Sequence, residues 1–123
     1  LSVDKWASIE PLPVKLKPVA ASILKRQINI KLELEHGINP FRKCKPAYLE
    51  PACDLILEGG FDREQLHTAM SFAYPHVKEA TLNSQVSNAI ALLKGMGVIT
   101  KRLDRYALGG SQSQLNQLAK SNR

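Results

Sequence analysis

The chain has 123 residues, 44% of them hydrophobic, with 17 Lys and Arg against 11 Asp and Glu, a formal net charge of +6 and a sequence pI of about 9.5. That length supports one domain with a real core, and no apolar run approaches the roughly 18 residues of a membrane-spanning helix. Aromatic residues make up only 6%, which disfavours single-strand binding on stacked rings, whereas the positive charge fits a polyanionic partner.

The first 17 residues hold Pro11 and Pro13, with Pro18 just after. Proline at this density resists both helix and central strand, so residues 1–17 are expected to form an extended arm, tacked down by Trp6 and Ile9. Residues 18–45 are expected to be an N-terminal helix and a basic loop. Pro18 suits a first helical turn, Val19, Ala20, Ile23, Leu24 and Ile28 follow helical spacing, and Gly37 can cap the end. One helix over 18–36 is the preferred reading. The alternation of Ile28, Ile30, Leu32 and Leu34 with polar neighbours is a competing strand pattern. If helical, its broad apolar surface serves either the domain's own core or a second subunit. The loop over 39–45 carries Arg42, Lys43 and Lys45, a solvated cluster or a phosphate contact.

Leu49, Cys53, Ile56 and Leu57 share one face of a helix expected over 46–58 and stopped by Gly59 and Gly60; its ordered part is expected to start close to Glu50, because Pro51 belongs near a helix start. Glu50 and Asp54, four apart on it, are spaced to hold a cation, although two carboxylates at that spacing are common on solvated faces. Asp62 and Gln65 form a capping box that opens a second helix through Leu66, Ala69, Met70 and Ala73, ended at Tyr74 and Pro75. His67 and His76 have no ligand partners in the pattern and read as surface residues. Lys78, in the linker that follows, is available to a phosphate.

A third helix is expected over 81–94. Val86, Ala89, Ile90 and Leu93 form its apolar stripe, Thr81, Asn83 or Ser84 can cap it, and Gly95 and Gly97 stop it. Its other face carries Asn83, Ser84, Gln85, Ser87 and Asn88, polar but uncharged. Solvated helix faces favour Glu and Lys, whereas amides and hydroxyls are the groups that read base edges. A short hairpin follows: Val98 to Lys101 is β-branched then basic, Leu103 and Asp104 make the turn, and Arg105 to Leu108 returns. Lys101, Arg102 and Arg105 suit phosphate oxygens.

This order of helix, Lys94-Gly95-Met96-Gly97-Val98-Ile99, charged turn and Arg105-Tyr106-Ala107-Leu108 resembles the winged helix-turn-helix DNA-binding superfamily. The resemblance covers residues 46–110. It implies a mostly α fold with a small β-hairpin wing, a winged helix-turn-helix with an extra N-terminal helix. It places Asn83, Ser84, Gln85, Ser87 and Asn88 on the groove-facing side of a recognition helix and Lys101, Arg102 and Arg105 on the wing; these three cations, with Lys78 of the linker, are expected to hold phosphates. The expected partners are double-stranded DNA and a second copy of the chain, the segment over 18–36 being the candidate dimer contact. A winged-helix module for protein–protein contact in a larger assembly is the alternative, since a fold does not fix a function.

After Leu108, Gly109, Gly110 and Ser111 read as a linker, and 111–123 as a tail or short helix with Leu115, Leu118 and Ala119 at helical spacing. Residues 1–60 hold nine Lys and Arg against seven Asp and Glu, residues 61–123 eight against four, so the half with the candidate reading head is the more basic. Cys44 and Cys53 are too far apart for a zinc motif; Cys53 sits in an apolar pattern, and both read as reduced cytoplasmic thiols. No secretory signal is evident, and the start at Leu1 leads to the expectation of a processed or excised chain. No phosphate-cradling glycine loop, metal-ligand spacing or nucleophile elbow is present, so the expectation is a binding protein, not an enzyme, without cofactor, metal or small-molecule ligand.

Overall fold

The computed structural model describes residues 12–109. A 3₁₀ turn (Val14–Leu16) runs into α1 (Lys17–Lys25), then α2 (Ile30–Glu35), α3 (Leu49–Leu57), α4 (Arg63–Ala73) and α5 (Glu79–Gly95), and the chain finishes in the strands β1 (Ile99–Arg102) and β2 (Arg105–Leu108). The described residues are thus mostly helical, with one small antiparallel hairpin. The expectations for Trp6, Ile9 and residues 111–123 lie outside this range.

Where one helix was expected over 18–36 there are two. Gln27 adopts φ 62 and closes α1. Its N–H donates to the Leu24 carbonyl (3.0 Å), and the Ile28 N–H donates to the Ile23 carbonyl (3.2 Å). This is the bond pair made when the residue after a helix turns left-handed. Asn29 then starts α2, its side-chain oxygen accepting from the Leu32 N–H at 3.1 Å. The strand pattern is overruled as well, because Ile30 and Leu34, four apart, both turn to the core. Gly37, Gly59 and Gly97 close α2, α3 and α5 with the same pair of bonds, at φ values of 78, 118 and 80.

Leu16, Ala20, Ile23, Ile30 and Leu34 are buried in the same cluster as α3, α4 and α5, and Leu24 and Ile28 pack against it. The apolar surface of the 18–36 segment therefore covers the chain's own core, at roughly 1.5–3 kcal/mol for each large side chain fully buried. Among its large apolar side chains, Leu32 stays 46% exposed. No helix among the described residues is long and apolar enough to cross a membrane.

The helix expected over 46–58 begins at Leu49, after a turn in which the Leu49 N–H donates to the Pro46 carbonyl at 3.1 Å. It buries Leu49, Ala52, Cys53 and Ile56, and burial, reinforced by the charge of Asp54, pushes the Cys53 thiol up to about 12. That thiol behaves as a small hydrophobe. Both halves of the Asp62–Gln65 capping box form at the start of α4.

The hairpin is fastened at its base. Phe61, between α3 and α4, exchanges two backbone bonds with Tyr106 of β2, donating at 2.9 Å and accepting at 2.7 Å. Their rings lie 5.6 Å apart. Gly60 makes this approach possible: a Cβ there would stand 2.5 Å from the Tyr106 carbonyl oxygen. The hairpin is thereby held at the α3–α4 junction as well as by its direct continuation from α5.

Candidate nucleic-acid interface

α5 starts at Glu79, two residues earlier than expected. Extended backbone at Lys78 (φ −66, ψ 151) opens it without a side-chain cap. Thr81, Asn83 and Ser84 are therefore not caps but lie within the helix. Leu82, Val86, Ala89, Ile90 and Leu93 are buried, leaving Thr81, Asn83, Ser84 and Ser87 exposed, with Gln85 and Asn88 half-buried.

Two of these polar residues are tied back to α4. Arg63 donates to the Ser87 hydroxyl oxygen at 2.8 Å and to the Asn83 backbone carbonyl at 3.4 Å. The Asn83 amide donates to Glu79 Oε2 at 3.2 Å, and the same oxygen meets His67 Nε2 at 2.7 Å. His67, which showed no partner pattern in the sequence, thus bridges α4 to α5. Ser84 and Asn88 make no side-chain bond among the described residues and remain available. Gln85 fits base reading less well: its Oε1 is shielded from solvent and has no partner among the described residues.

The hairpin cations are linked to α5 through the start of α4. β1 and β2 pair Lys101 with Tyr106 and Arg102 with Arg105, leaving Leu103 and Asp104 as the two-residue turn. The Lys101 ammonium lies 5.9 Å from the centre of the Tyr106 ring. Arg105 donates to Gln65 Oε1 at 3.0 Å, the same oxygen that completes the capping box. Arg105 therefore meets the first turn of α4 through Gln65, and α5 meets that turn through Arg63. Hairpin, α4 start and outward α5 face come together there. Lys78 directly precedes α5 and adjoins Glu79, whose carboxylate meets His67 of α4.

Arg63 is the residue that sequence reasoning missed. It reads only as the first residue of a capped helix; its reach across 24 positions to Ser87 depends on how α4 and α5 pack.

Two other sequence expectations change. Glu50 and Asp54 are not an open cation site: Arg42 donates to Glu50 Oε2 at 3.0 Å and to Asp54 Oδ1 at 2.6 Å, and buried Asn39 donates to Asp54 Oδ1 at 3.0 Å. Burial works to raise the Asp54 carboxyl, but the bonds from Arg42 and Asn39 outweigh it and hold the group below the usual carboxylate range. Arg42 is thereby committed to α3, so the basic loop loses one of its three candidate phosphate contacts. Among the described residues, Lys78, Lys101, Arg102 and Arg105 form no such ion pair. No family model, curated protein sequence or solved structure matches the chain.

Proposed function

We propose that this chain is a winged helix-turn-helix protein that binds double-stranded DNA. The outward face of α5 lies in the major groove and the hairpin serves as a wing on the backbone. One observation carries the reading: a hairpin with three cations (Lys101, Arg102, Arg105) is tied through Arg105 and Gln65 to the start of α4, whose Arg63 holds the amide-and-hydroxyl face of α5. Ser84 and Asn88 are the side chains best placed to meet base edges. Arg63 holds Asn83 and Ser87 in position, and Lys78 supplies a phosphate contact at the start of α5.

A role as transcriptional regulator, or as plasmid, phage or replication accessory factor, follows from such binding and belongs to the same proposal. So does a cytoplasmic, nucleoid-associated location and binding without catalysis. Dimerisation over two half-sites would use the uncovered apolar side chains Leu32 and Ile38, 46% and 51% exposed.

The test is titration of the chain against random duplex DNA at two salt concentrations, with Arg102→Ala beside the wild type. Salt-sensitive binding is expected, its slope falling by about one unit in the variant. Absence of binding at low salt would refute the proposal. It would favour the second reading, a protein-interaction module, for which a separate feature speaks. Phe72 is 83% exposed and flanks a groove of about 390 Å³ between α3 and α4, lined also by Leu55, Ala69 and Ala73.

A further inference from the structure

Leu103, at the hairpin tip, combines two unfavourable features. It is 90% exposed, the most exposed large hydrophobic side chain among the described residues. It also has φ 57, the left-handed region, at the first turn position of a two-residue hairpin, where glycine is the usual choice. A third unfavourable feature lies beside it: Arg102 and Arg105 are directly opposed across the strands, where like charges repel. A solvated hairpin would be better served by glycine at 103 and by opposite charges at 102 and 105.

Two of these features, the exposed leucine and the opposed arginines, become favourable in one setting, and the left-handed backbone is the cost of holding a leucine there. A polyanion beside the tip offsets the repulsion of the two guanidinium groups, Arg105 keeping its Nη1 bond to Gln65, and an apolar medium between the phosphates takes the leucine. DNA offers both at a groove, where phosphate rows flank stacked bases. Apolar wedges between base steps are an established way for proteins to open a minor groove. A lipid surface also offers anions above an apolar layer. The uncharged polar face of α5, which adjoins the hairpin through the start of α4, favours DNA, because a headgroup layer has no base edges for amides and hydroxyls to read. Three cations (Lys101, Arg102, Arg105) against one anion (Asp104) keep the tip positive.

We propose that Leu103 is a wedge that enters the minor groove of duplex DNA and partly unstacks a base step, with Arg102 and Arg105 on the flanking phosphates. This rests on the duplex-binding reading and goes beyond it, since that reading needs only surface contact from the hairpin.

The test uses the full chain and an alternating adenine–thymine duplex in which 2-aminopurine replaces a fraction of the adenines. Pyrimidine–purine steps, the easiest to unstack, then occur in every binding register. Wild-type protein should raise the 2-aminopurine fluorescence. Leu103→Gly, which relieves the left-handed backbone and so should not harm folding, should abolish that rise. It should change affinity by less than about tenfold and leave the salt slope as it was, because its phosphate contacts remain. Leu103→Met should restore the rise. Salt-sensitive binding by the wild type without a fluorescence rise, or an equal rise with the glycine variant, would overturn the wedge and leave duplex binding standing. No binding at low salt would overturn both. Vesicles of anionic phospholipid form a second arm: Leu103-dependent vesicle binding without a fluorescence rise on DNA would overturn the wedge in favour of a lipid surface.

Discussion

Gly59 and Gly60 offer a matched pair for measuring what anchors the hairpin. Their backbones are alike, at φ +118 and +119, and both are strained for any residue with a Cβ. What a methyl group would meet differs. At Gly59 nothing lies within 4 Å; at Gly60 the new atom stands 2.5 Å from the Tyr106 carbonyl oxygen and 3.2 Å from Ala107 Cβ. Gly59→Ala should therefore show the backbone term alone, about 1–3 kcal/mol. Gly60→Ala should add about 1–3 kcal/mol, because the backbone oxygen cannot move aside without breaking the bond from the Phe61 N–H. Urea unfolding of both variants gives the two losses, and their difference is the steric term. Hydrogen exchange at the Phe61 and Tyr106 amides should quicken in Gly60→Ala and change little in Gly59→Ala. Equal stability losses and unchanged exchange in both would mean that the close approach at Gly60 does not hold the hairpin.

Other positions give simpler tests. Gln27→Gly should stabilise the chain by about 1 kcal/mol, since Gln27 holds a left-handed conformation that glycine adopts without penalty; a lower urea midpoint would contradict the α1–α2 break. Asn39→Ala should cost about 2–3 kcal/mol in the same assay, because the Phe41 N–H, the Glu50 carbonyl and Asp54 each lose a bond to one buried amide. Asp54, depressed in the folded state, contributes stability above the usual carboxylate pKa of about 4, and this contribution is lost as pH falls through its folded value. Solvent screening limits it to about 1 kcal/mol, so the gap between wild type and Asp54→Asn should be that large near neutral pH and close in acid; a gap independent of pH would refute the assignment.

Features written locally were readable in advance. The capping box at Asp62 and Gln65, the glycine stops at Gly59 and Gly97, the apolar stripe of α5 and the two-residue turn at Leu103 and Asp104 all depend on residues within a few positions of each other. The break after α1 was not legible, because its left-handed residue is glutamine and the sequence signal for that geometry is glycine. The start of α5 was misplaced for a related reason: Asn83 and Ser84 have capping chemistry, but Lys78 opens the helix through backbone conformation alone. The remaining differences are long-range. That Arg42 closes over Glu50 and Asp54, that Arg63 reaches Ser87, and that Gln85 turns its oxygen away from solvent all depend on helix packing, to which composition and spacing are blind.

The exchange of two backbone bonds between Phe61 and Tyr106 makes the hairpin part of the rigid body and not an appendage to it. A free two-stranded hairpin is marginal in water and would have to be ordered at the moment of encounter. Here that entropy is already lost on folding, so a partner meets hairpin cations and α5 side chains in one fixed relative arrangement. Association should then be fast and strongly dependent on ionic strength, with discrimination among partners appearing in the dissociation rate, because a preset surface cannot adjust its spacing to a poorly matched one.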